Sequence, residues 1–245
     1  MTLHRYFERT GNWLFRWRSY LPLILLASYI IVLKDFQYPA NNHKLNRVWE
    51  IVCLAVSFFG LFIRIITIGY KPKGTSGRNV KNQEAAVLNT TGMYSVVRHP
   101  LYVGNFFVWL GLSMFAQKLW FSIVILFVFG IYYGLIMFAE EEFLQKKFGE
   151  LFINWTNETP AFFPKLANWQ PSELPFSVKT VLKRESSSFF GIISAFTFLD
   201  IISETYTKGS PSIDTMWLLI FTVSLIIYIV LIILKKKKLL DVEGR

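Results

Sequence analysis

Long apolar runs recur along the chain, separated by polar segments. Six of them approach or exceed the roughly 20 residues that a helix needs to cross the hydrocarbon core of a bilayer. They cover residues 14–33, 48–68, 103–116, 119–139, 189–206 and 216–234. Because the runs are continuous rather than alternating with a period of two, they indicate helices and not strands of a membrane barrel. The pattern predicts an all-α, polytopic membrane bundle of about six transmembrane helices.

The residues between the runs predict how the helices are joined. Only Gln117 and Lys118 separate the third run from the fourth, which predicts a tight helical hairpin. The fourth run continues into a polar helix that Gly149 is expected to end. The arginine-rich start resembles a signal peptide, but no small-residue cleavage site follows the first run, so we interpret it as an uncleaved first span.

Two polar segments, 69–102 and 140–187, are too long to be simple connectors, and long loops are often functional. They predict a division into an N-terminal transmembrane segment at 1–47, a catalytic core at 48–187 and a C-terminal transmembrane hairpin at 188–245. If six helices cross the membrane with both ends on one side, both polar segments lie on that same side.

The distribution of basic residues assigns that side. Of the 26 Lys and Arg residues, 20 fall in the two polar segments or towards the termini, where Arg16 and Arg18 at the start of the first run are included. Five fall in the opposite connections, and Arg64 lies within the second run. Positive charge concentrates on the cytoplasmic side of membrane proteins, so we expect both termini and the active site to be cytoplasmic. The net charge of +10 then reflects contact with anionic inner-leaflet lipids, and no nucleic acid needs to be invoked. An apolar share of 53% argues against a soluble helical protein.

Two charged residues, Glu50 and Arg64, fall inside the second run. Intramembrane charges are functional candidates, although Arg64 is close enough to the cytoplasmic end for us to expect that it snorkels to the surface. The single cysteine, Cys53, excludes an intrachain disulfide and is interpreted as a packing residue.

The first polar segment opens with glycines and a proline mixed with basic residues at 69–79. Backbone N–H groups of small residues can approach a phosphate closely, so this loop is a candidate anion cradle in which Lys73 and Arg78 would bind substrate. The alternative is a turn that lies on the membrane surface. The spacing does not match a Walker motif.

The stretch from Gly92 to Gly104 predicts a turn, an extended piece and then a helix that begins at Pro100. Arg98 and His99 would then lie at a helix N-terminus at the membrane surface, which favours anion binding. Alternatively, Arg98 binds lipid headgroups and His99 caps the helix.

Three motifs in order resemble the isoprenylcysteine carboxyl methyltransferase and phospholipid methyltransferase superfamily. The first is Gly-x-Tyr-x-x-x-Arg-His-Pro-x-Tyr-x-Gly at 92–104, and the second is Glu-Glu-x-x-Leu-x-x-x-Phe-Gly at 140–149. The third is the proline-bearing tail at 160–164. The resemblance covers residues 50–165 and leaves the last two apolar runs outside it.

The resemblance implies a membrane methyltransferase that uses S-adenosylmethionine as its cofactor. It implies that the cofactor pocket is lined by Tyr94, His99, Pro100, Leu101 and Tyr102, that Glu140 contacts the cofactor, and that the segment 86–89 with Leu88 does so largely through its backbone. Arg98 and Glu141 are the candidate catalytic residues, with Arg98 holding an anionic acceptor or the cofactor carboxylate. No metal site is expected.

Methyl transfer to an acceptor that is already an anion needs alignment and exclusion of water more than acid–base chemistry. The prenylcysteine branch of the superfamily has an arginine that is linked to the substrate carboxylate, and Ile136 stands in its place here. The glycine-rich loop and the segment 88–92 resemble bacterial members that methylate a lipid A phosphate. We therefore expect a lipid-phosphate methyltransferase of the bacterial inner membrane, with a membrane lipid as substrate.

Other functions stay open. Within the same chemistry, the chain could methylate the carboxyl group of a prenylated cysteine or the amine of an aminophospholipid. A carrier or non-catalytic scaffold is disfavoured because no repeat relates the two halves and the motif residues are intact. A membrane reductase is a further alternative, although no dinucleotide-binding glycine motif occurs.

Overall fold

The computed structural model describes residues 2–18, 20–72, 75 and 85–244. Within these residues the fold is all-α, as predicted, with no strand. The helices are α1 (Leu3–Trp17), α2 (Leu21–Val32), α3 (His43–Gly69), α4 (Met93–Val96), α5 (Pro100–Phe115), α6 (Leu119–Phe148), α7 (Glu150–Glu158), α8 (Val178–Lys208) and α9 (Thr215–Lys236).

Four helices, α3, α6, α8 and α9, are long and apolar enough to cross a membrane, while α2 and α5 are shorter apolar helices. The arrangement is consistent with six predicted spans, but the first run is not the single helix expected. Helix α1 ends at Trp17 and α2 begins at Leu21, with a proline in its first turn. A proline fits the start of a helix and disrupts its interior, which accounts for the break. With 12 residues, α2 is only about 18 Å long.

Polar caps and turns set the ends of the long helices. The side chain of Asn42 accepts hydrogen bonds from the backbone N–H groups of Lys44 and Leu45 at the start of α3, at 2.9 and 3.4 Å. The predicted hairpin between α5 and α6 is confirmed, and Gln117 lies in it with a φ of 56°. The predicted end of α6 is also confirmed, since Gly149 follows it with a φ of 54°. Glycine adopts this left-handed region without steric cost.

Helices α3 and α5 pack with their backbones in contact. A Cβ atom added to Gly60 would lie 2.3 Å from the carbonyl oxygen of Gly104, and one added to Gly111 would lie 2.4 Å from the carbonyl oxygen of Cys53. Small residues allow such close approach between helices in a membrane. Cys53 is fully buried at this contact, in agreement with its expected packing role.

The helices outside the α3–α5–α6 group pack closely against it. Helix α1 lies along α6, where Phe15 packs in one buried cluster with Phe129, Tyr133 and Ile136. Helix α8 packs on α3 and α9 and runs without a break across the predicted boundary between 187 and 188.

The buried carboxylate of Glu50 joins α3 to α9. It accepts hydrogen bonds from the side chains of Asn46 and Trp217, each at 2.8 Å. Glu50 therefore has a packing role at the end of the bundle that is remote from His99, and it is not among the residues that line the cavity described below.

Replacing Gly60 with alanine should destabilise the bundle, because the new Cβ would collide with the backbone of α5. We expect a loss of about 1–3 kcal/mol in the free energy of unfolding, measured by thermal unfolding in detergent. The control is Gly130→Ala in α6, where a Cβ meets nothing within 4 Å. Equal stability of the two variants would contradict the close α3–α5 packing.

Candidate active site

A cavity of about 290 Å³ lies at the end of the bundle that carries His99. This volume is near the lower end of the roughly 300–1,000 Å³ typical of small-molecule sites. Nine of the sequence-predicted site residues line it together. They are Leu88, Tyr94, Arg98, His99, Pro100, Leu101, Tyr102, Glu140 and Glu141. The two remaining ones, Lys73 and Arg78, lie outside the described residues.

The first motif reaches the cavity through a tight local structure. Gly92 has a φ of 60°, and one helical turn, α4, follows where the sequence predicted an extended piece. The extended conformation is confined to the end of this turn, at Val97. Helix α5 then begins at Pro100, as predicted, so that His99 is its N-cap residue. The side chain of His99 makes no capping hydrogen bond and lines the cavity instead.

The proline-bearing tail holds this segment in place through backbone hydrogen bonds. The N–H groups of Arg98 and His99 donate to the carbonyl oxygens of Pro160 and Ala161 at 2.9 and 3.2 Å. The N–H of Lys165 donates in turn to the carbonyl oxygen of Val96 at 2.9 Å. Backbone N–H groups at the start of a helix have no acceptor within the helix, and the tail supplies acceptors for them at the start of α5. The first and third motifs therefore form one structural unit.

Two carboxylates of α6 face the imidazole of His99. Its Nε2 donates to Glu141 Oε1 at 2.9 Å, and its Nδ1 lies 3.6 Å from Glu140 Oε2. Burial by itself would lower the pKa of His99, but the nearby carboxylate of Glu140 and the hydrogen bond to Glu141 raise it above its ordinary value. A carboxylate beside each ring nitrogen favours the imidazolium, in which both nitrogens carry a proton. The ring of Tyr102 stacks on it with 5.5 Å between centroids.

The guanidinium of Arg98 is already engaged within the protein. It donates to both oxygens of Glu141, from Nε at 2.9 Å and from Nη2 at 3.2 Å. Its Nη1 donates to the carbonyl oxygens of Thr156 and Thr159 at 3.3 and 2.6 Å. Four of the five N–H donors of an arginine are therefore used. This geometry fixes Glu141, and contact of Arg98 with a ligand anion stays a prediction.

Arg64 does not snorkel, contrary to the expectation from sequence. Its guanidinium donates to both carboxylate oxygens of Glu185 on α8, each at 2.9 Å, and to Asn105 Oδ1 at 2.6 Å. Asn105 then donates to the hydroxyl of Tyr133 at 2.9 Å. Arg64 is held inside the bundle because a buried partner on α8 satisfies its charge. All four residues line the cavity, and the sequence reasoning assigned none of them to the site.

A second cavity of about 260 Å³ adjoins the first and is mostly apolar. It is bounded by side chains of α2, α5, α6 and α8, including Leu26, Trp109 and Ile192. Arg64 and Asn105 line both cavities, so their hydrogen-bonded group separates a polar chamber from an apolar one.

Residues 49–151 match the phospholipid methyltransferase family. The match confirms, over this part of the chain, the resemblance to the isoprenylcysteine carboxyl methyltransferase and phospholipid methyltransferase superfamily. It contains helices α5 and α6, the site residues from Leu88 to Glu141, and most of α3.

Two curated proteins are similar to part of the chain. One is the nickel-cobalt-cadmium resistance protein NccN of Alcaligenes xylosoxydans xylosoxydans, 34% identical over 88 residues, which are 36% of this chain and 41% of that protein. The other is the cobalt-zinc-cadmium resistance protein CzcN of Cupriavidus metallidurans, 36% identical over 88 residues, which are 36% of this chain and 40% of that protein. The chain thus spans about two fifths of the length of these relatives. No solved structure matches.

Replacing Glu185 with glutamine should destabilise the protein strongly, because it leaves the buried charge of Arg64 without a counter-charge. We expect a loss of about 3–5 kcal/mol in the free energy of unfolding, as for other broken buried pairs. The control is Lys183→Met, two residues away, which removes the exposed pair with Asp241 and should cost at most about 1 kcal/mol. Similar melting temperatures for the two variants would count against the buried pair.

The pairing of His99 should make stability depend on pH. Its pKa in the folded state is raised above the ordinary histidine value of about 6.5. Its contribution to stability is therefore complete below about pH 6.5 and is lost as the pH rises through the pKa of the folded state. The stability difference between wild type and His99→Gln should therefore be largest in mildly acidic solution and shrink as the pH rises above about 6.5. Thermal unfolding of both proteins at a series of pH values measures it. A difference that is constant with pH would contradict the imidazolium.

Proposed function

We propose that this chain is an S-adenosylmethionine-dependent methyltransferase that transfers the methyl group to an anionic group of a membrane lipid, and that a lipid phosphate such as that of lipid A is the acceptor. The observation that supports it most is the convergence of the family's motif residues on one cavity with charged side chains in its lining, at one end of the helical bundle. The basic bias of the termini and polar segments supports a cytoplasmic active site in a bacterial inner membrane.

The cavity fits the charge pattern of S-adenosylmethionine, which carries a sulfonium, an ammonium and a carboxylate. Glu141 is bonded to Arg98 and His99, whereas Glu140 is 3.6 Å from the nearest nitrogen of His99. Glu140 is therefore the carboxylate less tightly paired with protein cations, and it is our candidate for contact with a cationic part of the cofactor. The cofactor would supply an electrophilic methyl group on sulfur.

The protein's own residues would act by positioning. Arg98 holds Glu141, Glu141 holds His99, and His99 stacks on Tyr102, so that the start of α5 and the carboxylates of α6 form one rigid wall. Backbone hydrogen bonds from the proline-bearing tail to Arg98 and His99 hold this wall in place. Alignment of this kind can contribute about 7–11 kcal/mol to a transfer reaction.

An apolar chamber next to the polar one supports a lipid acceptor. The second cavity can accommodate part of a hydrocarbon chain while the headgroup enters the first cavity, past Arg64 and Asn105. Both chambers are partly lined by α8, which lies outside the family match. The C-terminal hairpin would thus contribute to acceptor binding in addition to anchoring the chain.

A phosphate acceptor is favoured over prenylcysteine by the surroundings of Ile136. This residue stands where the prenylcysteine branch has an arginine, and it is fully buried in an apolar cluster with Phe15, Phe129 and Tyr133. No cation can reach a substrate carboxylate from that position. Lys73 and Arg78 remain our proposed substrate contacts from the glycine-rich loop.

The names of the two relatives refer to resistance to divalent metals. Within the described residues, no group of three or more His, Cys, Asp or Glu side chains is arranged to hold a metal ion. Methyl esterification of a lipid phosphate removes one negative charge from the membrane surface, and this weakens the attraction of cations to it. A lipid methyltransferase could therefore contribute to such resistance without binding the metal.

Purified protein should transfer radiolabelled methyl groups from S-adenosylmethionine to total membrane lipid, and a labelled phosphate ester of a glycolipid would establish the acceptor. Glu140→Gln should weaken cofactor binding by about 10-fold to 150-fold, as expected for the loss of a hydrogen bond to a charged group, measured by calorimetry. The matched control is Glu142→Gln, because Glu142 faces away from the cavity and pairs with His4 at 3.0 Å.

The labelled product distinguishes the alternatives. Label in a prenylated peptide or an aminolipid would keep the class of enzyme and overturn the phosphate acceptor. Absence of both transfer and cofactor binding would overturn the methyltransferase and favour a scaffold or a reductase. Equal cofactor binding by Glu140→Gln and Glu142→Gln would show that the carboxylate is misassigned.

A further inference from the structure

We infer that Lys71 and Arg184 form an anion subsite in the polar cavity, where they receive a phosphate or carboxylate group of a bound ligand. This inference rests on the proposed function for the identity of the ligands, but not for the existence of the subsite. Neither residue belongs to the motifs of the superfamily, and Arg184 lies on a helix outside the family match.

Lys71 is placed by the turn that ends α3. Its backbone N–H donates to the carbonyl oxygen of Ile68 at 3.2 Å, and its side chain turns into the cavity with only 3% of the residue exposed. Its Nζ has no hydrogen-bond partner among the described residues. A buried amine without a partner is costly, since transfer of a charged group out of water requires a compensating contact. An anionic ligand supplies that contact.

Arg184 brings a second positive charge to the same cavity from the first part of α8. The carboxylate next to it in the chain, Glu185, is bonded to Arg64 and is not available. Burial and the charge of Arg184 lower the pKa of Lys71 to about 7. In the part of the chain that the structure describes, no carboxylate is bonded to Lys71 or to Arg184. An anion that binds beside them would therefore hold Lys71 in its charged form and supply the counter-charge that both groups lack.

The charges of the cavity support the same conclusion. Two of its three carboxylates are bonded to protein cations, Glu141 to Arg98 and His99 and Glu185 to Arg64, while Glu140 lies 3.6 Å from His99. Lys71 and Arg184 together can carry more positive charge than the single carboxylate of Glu140 offsets. The matching anionic oxygens can come from the headgroup of the acceptor lipid or from the carboxylate of the cofactor. Both present the same chemistry to an ammonium and a guanidinium.

The test uses the full chain in phosphatidylcholine nanodiscs and compares wild type with Lys71→Met and Arg184→Gln. The matched control is Lys179→Met. Lys179 is exposed in the first turn of α8 and does not line the cavity, so this substitution removes a positive charge from the same end of the helix. Binding of short-chain phosphatidate and of S-adenosylmethionine is measured separately by calorimetry. Thermal unfolding of each variant establishes that it is folded before binding is interpreted.

We expect the two cavity variants to weaken one of these ligands on the order of tenfold or more, while the control binds both as wild type does. Weaker phosphatidate binding identifies the lipid headgroup as the source of the anion, and weaker cofactor binding identifies the methionine carboxylate. Folded cavity variants that bind both ligands like the control overturn the subsite. Wild-type protein that binds phosphatidate through Lys71 but transfers no methyl group would refute the proposed function and leave the subsite standing.

Discussion

The buried ion pair between Arg64 and Glu185 organises the polar end of this bundle. It joins α3, which begins the family segment, to α8, which lies beyond it, and it extends through Asn105 to Tyr133 on α6. Because Asn105 belongs to α5, these hydrogen bonds connect four helices between the cavity that His99 lines and the apolar cavity. A pair of this kind is tolerated away from water only when each charge is matched and bonded, so the position of each helix constrains the others.

Above this pair, the candidate site is built from backbone as much as from side chains. The tail at 159–165 bonds to the backbone of Val96, Arg98 and His99, and this accounts for the occurrence of the three motifs as a set. The carboxylates of α6 then hold the side chains of Arg98 and His99 from the other side. The consequence is a rigid wall with one carboxylate, Glu140, and two cations, Lys71 and Arg184, left to meet a ligand.

Several features could be predicted from local sequence because their causes are local. The hairpin at Gln117, the start of α5 at Pro100 and the end of α6 at Gly149 follow from turn residues and from the conformations open to proline and glycine. The break between α1 and α2 was missed because the apolar run continues through it. The long extent of α8 was missed because its first turns are polar, and hydropathy alone assigned them to a loop.

The sequence by itself determined the all-α membrane architecture, since only satisfied backbone helices explain such long apolar runs, and it determined which motif residues meet in one cavity. Only the tertiary structure decided the roles of the charges. From the sequence alone, Arg64 lies near the end of an apolar run and could equally reach the membrane surface, and Glu185 would be taken for a solvent-exposed residue. Only the packing of α8 against α3 brings the two side chains into contact. Pairing between helices depends on which faces meet in space, and hydropathy along one chain carries no information on that. For the same reason, the burial of Lys71 beside Arg184 emerges only from the packed bundle.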